Sequence, residues 1–244
     1  MGVKFKLTKK DLKGIINVKK IIPTKDGITD TVYILDNKYI LKIFHNSSKK
    51  DLKNEIKLLK LLKKYKVSKP ISKSLTICNK PALLYKKCIG QSIKKPKKKD
   101  IKQIGKFLKK FHNLTKNKLS NNKKIFKKQY LKKLVIKTKN KSLLDKYKKI
   151  DIKLKNNGII HGDLFPDNSI FYHGKLSCVI DFNQACNGDF IFDLAVIAFS
   201  WCKSNNDIKI LLKSYNLNIS LKKFKKYIFY ASLYYTTTRY LRKI

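Results

Sequence analysis

From residue 156 to residue 202 the chain carries one lysine, Lys175, although 57 of its 244 residues are lysine. The same 47 residues hold five of the fourteen aspartates: Asp163, Asp167, Asp181, Asp189 and Asp193. A local escape from a global bias marks positions that do not accept lysine, because they are buried or because they do chemistry. Both reasons apply, since the apolar runs 158–160, 179–182 and 194–201 alternate with the acids. A second break is the glutamate count, which is one: Glu55. Its helical pattern has Leu52, Ile56, Leu59 and Leu62 on one face and no lysine three or four residues away, so its cation must come from elsewhere in the fold.

Elsewhere composition excludes more than it selects. The formal charge is +44, yet only Arg239 and Arg242 are arginines. Readers of phosphates and bases rely on guanidinium forks, so a solvated lysine surface is expected and no specific nucleic-acid partner. No apolar run has the length of a membrane span and residues 1–11 lack a signal-peptide core, so a cytoplasmic protein without a membrane partner is expected. Five cysteines form no CxxC pair and four histidines no HExxH, so reduced, mostly buried thiols and no zinc site are expected.

Residues 15–22, 31–35 and 38–44 read as strands, the last two joined by a hairpin turn at Asp36-Asn37. A helix at 50–65 carries Glu55, and strands 74–77 and 82–85 follow around a turn containing Pro81. Residues 85–90 form a connector. Beyond it, Ile101, Ile104, Leu108 and Phe111 mark one face of a helix; further helices are expected at 123–135, 142–154, 193–201 and 222–241, with a hairpin of 169–172 and 177–180 around Gly174. The expected class is α+β, in two lobes. The first lobe, 1–87, is a five-stranded antiparallel sheet with one helix, and the second, 88–244, is mainly helical.

The segment His161-Gly162-Asp163-Leu164-Phe165-Pro166-Asp167-Asn168 has HxDxxxxN spacing, and Asp181-Phe182 follows after the hairpin. Phosphoryl transfer needs a carboxylate for the acceptor hydroxyl and oxygen ligands for the magnesium that bridges the phosphates. A loop sets Asp163 and Asn168 at its ends, and the hairpin returns Asp181 to the same metal. Upstream, Lys42 lies in an apolar strand and needs a partner; Glu55, thirteen residues on, is the available one. That is the strand-lysine and helix-glutamate pair that clamps phosphates in protein-kinase folds. A GxGxxG loop, an arginine after the loop histidine, DFG and APE are all missing, and the interval from Asp181 to Asp193 leaves no room for a peptide-binding segment.

These residues resemble the aminoglycoside phosphotransferase and choline kinase superfamily, which implies a two-lobed, protein-kinase-like fold with an ATP-binding lobe, 1–87, and a catalytic and acceptor-binding lobe, 88–244. Within it, residues 158–202 are most similar to the proteobacterial type of homoserine kinase: HGDLFPDN at 161–168, IDF at 180–182, ACNG at 185–188, DLA at 193–195 and Trp201-Cys202, with a weaker echo at 231–239. The resemblance implies ATP and magnesium, with Asp163 as base, Asn168 and Asp181 as metal ligands, and Lys42 on the phosphates backed by Glu55. Thr29 and Thr31 of the first hairpin join the nucleotide site, and adenine hangs from the connector near Tyr85 and Lys87. Asp193 ties down the catalytic loop, in which His161 is a structural hydrogen-bonding residue; Arg239, Asn183 and Trp201 are the acceptor-side candidates. The implied reaction phosphorylates the side-chain hydroxyl of L-homoserine, in threonine biosynthesis. Choline, a thiosugar or an aminoglycoside are alternative acceptors, and the lysine-rich chain favours one bearing a carboxylate. A basic nucleic-acid-binding protein on an inactive kinase scaffold is a third reading, against which intact Asp163 and Asp181 count. Three positions depart from the homoserine kinase pattern: Gly162 stands where alanine is more common, and Asn183-Gln184 replaces an aromatic pair.

Overall fold

The computed structural model describes residues 6–24, 29–122 and 126–243. The chain divides into two units, Met1–Gly90 with Ser177–Asn183, and Gln91–Leu176 with Gln184–Ile244. The first unit is built on β1 (Ile21–Pro23), β2 (Thr31–Leu35), β3 (Tyr39–Ile43), α1 (Lys49–Leu61), β4 (Leu75–Ile77) and β5 (Lys80–Lys86). Its strands form one antiparallel sheet in the order β1-β2-β3-β5-β4. Alternation sets the buried face: Thr31, Tyr33 and Leu35 of β2 and Leu41 and Ile43 of β3 are buried, and Leu7, Leu12 and Val18 pack on the same core.

The expected first strand, 15–22, is reduced to Ile21–Pro23, because the apolar residues before it pack into the core instead of pairing. The hairpin between β2 and β3 also differs from expectation. A two-residue turn at Asp36-Asn37 would pair Leu35 with Lys38, whereas Leu35 pairs with Tyr39 and the loop has three residues. Asp36 and Asn37 adopt left-handed φ of 48° and 56°, and the Asp36 carboxylate accepts the N–H groups of Lys19 and Lys20. This places Val32, not Thr31, opposite Lys42. Likewise the β4–β5 turn is Cys78-Asn79, both left-handed, and Pro81 lies inside β5 opposite Thr76.

Helix α1 starts on a capping box, Ser48 with Asp51, and buries Leu52, Glu55, Leu58 and Leu59. Ser177–Asn183 belongs to this unit because Val179 donates its N–H to the Lys66 carbonyl at 2.8 Å and accepts that of Ser68 at 2.9 Å. Cys88 and Cys178, their Cα atoms 6.0 Å apart, are joined by a disulfide. This corrects the expectation of reduced thiols; their separation of 90 residues gives no local spacing motif by which to pair them.

The second unit comprises β6 (Gln91–Ser92), α2 (Lys98–Thr115), α3 (Lys128–Lys137), α4 (Lys141–Lys148), β7 (Gly158–Ile160), β8 (Ser169–Tyr172), β10 (Cys186–Gly188), α5 (Phe190–Trp201), α6 (Asn205–Tyr215) and α7 (Leu221–Arg242). Strand β9 (Lys175–Val179) begins here and runs into Ser177–Asn183. Ile101, Ile104, Leu108 and Phe111 of α2 are all buried, each contributing about 1.5–3 kcal/mol of apolar burial. Helix α2 packs on α6, and α5 on α7. Residues 123–125 of the helix expected at 123–135 lie outside the described residues, and the one expected at 142–154 stops at Lys148. Helix α6 was not anticipated; it is capped by Ser204 with Asp207 and ends on left-handed Asn216. No helix among the described residues is long and apolar enough to cross a membrane.

Candidate active site

In the first unit the chemistry gathers around Lys42, whose register partners Val32 and Leu83 set it on the sheet face opposite the Leu41 and Ile43 core. Its ammonium lies 2.9 Å from Asp181 and 3.2 Å from Asp30. Burial opposes that charge, but the two carboxylates, Asp181 first, hold the Lys42 pKa above the usual lysine range. Glu55 is not within ion-pair distance of Lys42, which corrects the direct pair read from the sequence. Its Oε1 accepts the Tyr85 hydroxyl at 2.9 Å, and its charge reaches Lys42 through space. Asp181 itself has a left-handed φ of 66°, a conformation Asp tolerates better than most side chains.

Burial pushes the Glu55 carboxyl up to about 7, against the pull of Lys42. A carboxyl whose folded pKa is raised holds its proton more tightly in the native state. Its stabilisation is therefore complete below the unfolded value of 4.5 and is lost as pH rises through about 7. The difference in stability between wild type and Glu55→Gln is accordingly expected to change by on the order of 3 kcal/mol between pH 4.5 and 8. Denaturant unfolding across that range checks this; parallel profiles for the two proteins would remove Glu55 as the source.

Of the other nucleotide-side candidates, Thr31 is fully buried with its hydroxyl 2.9 Å from His45 Nε2, because the hairpin register turns it to the core. It is therefore corrected to a structural position. Thr29 is half-buried, and Gly27 and Ile28 lie outside the described residues. The N–H of Lys87 donates to the Lys38 carbonyl and that of Lys86 to Lys69. Asp30 was missed. Strand alternation from Val32 puts it on the face of Lys42, but only once the three-residue loop is known.

In the second unit, residues 161–168 form a loop with its backbone fastened at successive positions. Asp193, fully buried on α5, accepts the N–H of His161 and of Gly162, each at 2.8 Å, and His112 Nε2 at 2.9 Å. Burial lowers the His112 pKa, so the ring is neutral, donates through Nε2 and accepts the Tyr215 hydroxyl at Nδ1, 2.7 Å away. The Gly162 carbonyl accepts the Tyr235 hydroxyl, and the Leu164 carbonyl accepts the Trp201 indole N–H at 3.0 Å. His161 Nδ1 accepts the Asp163 N–H at 3.2 Å, and Asn168 Nδ2 donates to the Asp163 carbonyl at 2.7 Å. The half-buried Asp163 carboxylate is thus carried on a backbone with little freedom, with Gln184 Nε2 3.4 Å from its Oδ2.

Gly162 has a φ of +80°, and a Cβ there would lie 2.3 Å from the Phe126 ring, which accounts for its departure from alanine. Trp201, read from sequence as an acceptor residue, is 1% exposed and fastens the loop instead. Asn183 is half-buried, its Oδ1 without a hydrogen-bond partner among the described residues. Arg239 is exposed on α7 with its guanidinium 5.4 Å over the ring of Phe165, which also meets Tyr235 edge-on at 4.7 Å. The fastening residues His112 and Tyr235 carry no local sequence signal, since each acts across more than 70 positions.

The model of the phosphotransferase enzyme family (APH) matches residues 20–218. Among curated proteins, the homoserine kinase of Parvibaculum lavamentivorans is 53% identical over 45 residues, 18% of this chain and 14% of that protein. The homoserine kinase of Bartonella henselae is 41% identical over 68 residues, 28% of this chain and 21% of that protein. The matched stretches thus span about a seventh to a fifth of these relatives. In fold, the chain is similar to the choline kinase LicA of Streptococcus pneumoniae, with a TM-score of 0.71 and 18% identity over 96% of this chain and 89% of that one. It is likewise similar to an aminoglycoside 2'-phosphotransferase in complex with GDP, with a TM-score of 0.71 and 15% identity over 94% and 87%.

Proposed function

The chain belongs to the phosphotransferase enzyme family (APH), and on that premise we propose that it transfers the terminal phosphoryl group of ATP to the side-chain hydroxyl of L-homoserine, a step toward threonine. Asp163 takes the proton of the acceptor hydroxyl. Its loop is fastened to Asp193, Tyr235 and Trp201, so the carboxylate keeps one position while the hydroxyl oxygen attacks. Lys42 supplies positive charge to the nucleotide phosphates, and a base lying along the connector would read the carbonyl oxygens near Tyr85 and the N–H of Cys88.

The donor set suits magnesium, which binds through one or two carboxylates and keeps much of its water. Asp181 offers a carboxylate whose side chain is 28% exposed, and Asn168 spends its Nδ2 on the Asp163 carbonyl, leaving Oδ1 as the atom a hard cation prefers. Among the described residues no group of three His, Cys, Asp or Glu side chains could hold a metal by itself, so phosphate oxygens and water would have to complete the coordination. The chemistry a magnesium ion would supply there is to offset the negative charge of the phosphates.

The observation that carries the acceptor is Arg239 over Phe165, two positions along the loop from Asp163. A cation already covers that aromatic face, which repels the quaternary ammonium of choline, while the guanidinium edge can take a carboxylate through two parallel bonds. An assay of ADP release over homoserine, choline, a thiosugar and an aminoglycoside tests this reading. Homoserine is expected to exceed each of the others in kcat/KM by about tenfold or more, the range a site built around a polar group can discriminate. Preference for choline or an aminoglycoside, with no turnover of homoserine, would overturn it.

A further inference from the structure

Lys42 is held by a carboxylate that the proposed mechanism leaves without work. Asp30 is 6% exposed, its Oδ1 accepts the His45 N–H at 3.2 Å, and its Oδ2 stands 3.2 Å from the Lys42 ammonium without hydrogen-bond geometry to any donor among the described residues. Asp181 contacts the same ammonium at 2.9 Å, and Glu55 acts on it from further away. One cation therefore faces two carboxylates in contact and a third nearby. A nucleotide phosphate approaching Lys42 meets this surplus of negative charge, and Asp30, being buried, cannot swing into water to yield its place.

We propose that Asp30 makes nucleotide binding dependent on a divalent cation by competing with phosphate for Lys42, so that the metal complex of the nucleotide is admitted and the bare nucleotide is refused. The inference rests on the reading of Lys42 as the phosphate-binding residue. A divalent cation held by Asp181 and the phosphates offsets the negative charge that Asp30 leaves uncompensated. Without that cation, Asp30 remains the better partner for Lys42. Asp30→Asn keeps the size of the side chain and an acceptor for the His45 N–H while removing the charge.

Calorimetric titration of the full chain with ADP, in magnesium and in EDTA, tests the proposal. Wild type is expected to lose at least about a hundredfold in affinity on removing the cation. Asp30→Asn is expected to bind ADP in EDTA about ten- to hundredfold more tightly than wild type, the scale of one nearby unit charge partly screened by water. It should gain much less in magnesium. An unchanged affinity in EDTA, or a loss in both conditions, would overturn the competition and make Asp30 a support for the Lys42 side chain. Asp30→Ser is read in the same way should Asp30→Asn not fold, and failure of both to fold would equally assign Asp30 to support. Absence of ADP binding by folded wild type in magnesium would instead defeat the phosphotransfer reading itself, so the two failures are distinct.

Discussion

Asp163→Asn is expected to lower turnover by about two to four powers of ten, the usual range for removing a positioned catalytic base. The substitution keeps the volume of the side chain and an oxygen for Gln184 Nε2. It leaves untouched the backbone bonds of Asp163 to His161 Nδ1 and Asn168 Nδ2, which shape the loop. Unfolding temperature and ADP affinity are therefore expected to stay near wild type, since Lys42, Asp181 and Glu55 belong to the other unit. The measurements are turnover with homoserine, thermal unfolding and nucleotide titration on the same preparation. A loss confined to turnover identifies a group acting on the reacting hydroxyl. Wild-type-like turnover would take Asp163 out of the mechanism, and a large fall in unfolding temperature would show that the carboxylate serves the loop rather than the substrate.

The parts of the molecule legible in the sequence are those in which one short segment carries the whole signal. The antiparallel sheet announces itself through the alternating strands β2 and β3, and α2 through its 3- and 4-residue apolar spacing. The surplus of acids in a lysine-rich chain likewise marks residues 161–193. Contacts that depend on register or on distant segments were not legible. One extra loop residue, Lys38, shifts the β2–β3 pairing by one and exchanges which side chains face Lys42. Thr31 thereby goes to the core and Asp30 to the ammonium, while Glu55 turns to Tyr85. Trp201 is an acceptor-side candidate by resemblance, and only the fold shows its N–H on the Leu164 carbonyl. The disulfide between Cys88 and Cys178 likewise follows from the capture of Ser177–Asn183 by the first unit, which no pattern in the chain predicts.

Asp193→Asn is expected to cost several kcal/mol of stability, because it removes the buried anchor of the loop. The carboxylate is fully buried and accepts three donors, the N–H groups of His161 and Gly162 and the Nε2–H of His112. Burial alone would raise its pKa, but the bond from His112 and the loop N–H groups hold it below the usual carboxylate range. An amide keeps one acceptor and turns its NH2 toward a donor, leaving at least one buried N–H unpaired and the charge gone. Breaking a buried network from one side costs about 3–5 kcal/mol, which for a chain of this length lowers the unfolding temperature by on the order of 10 °C. Because the folded pKa is depressed, the wild-type stabilisation is present above the unfolded value of 3.8 and fades as pH falls through the folded one. The gap between wild type and Asp193→Asn should therefore narrow on acidification, whereas a merely steric defect would keep it constant. Turnover should fall as well, since Asp163 lies one residue beyond Gly162 and loses the anchor that positions its carboxylate. His112→Gln supplies the control. If His112 acts through Asp193, the double variant is expected to lose much less than the sum of the single losses, and strict additivity would separate the two residues.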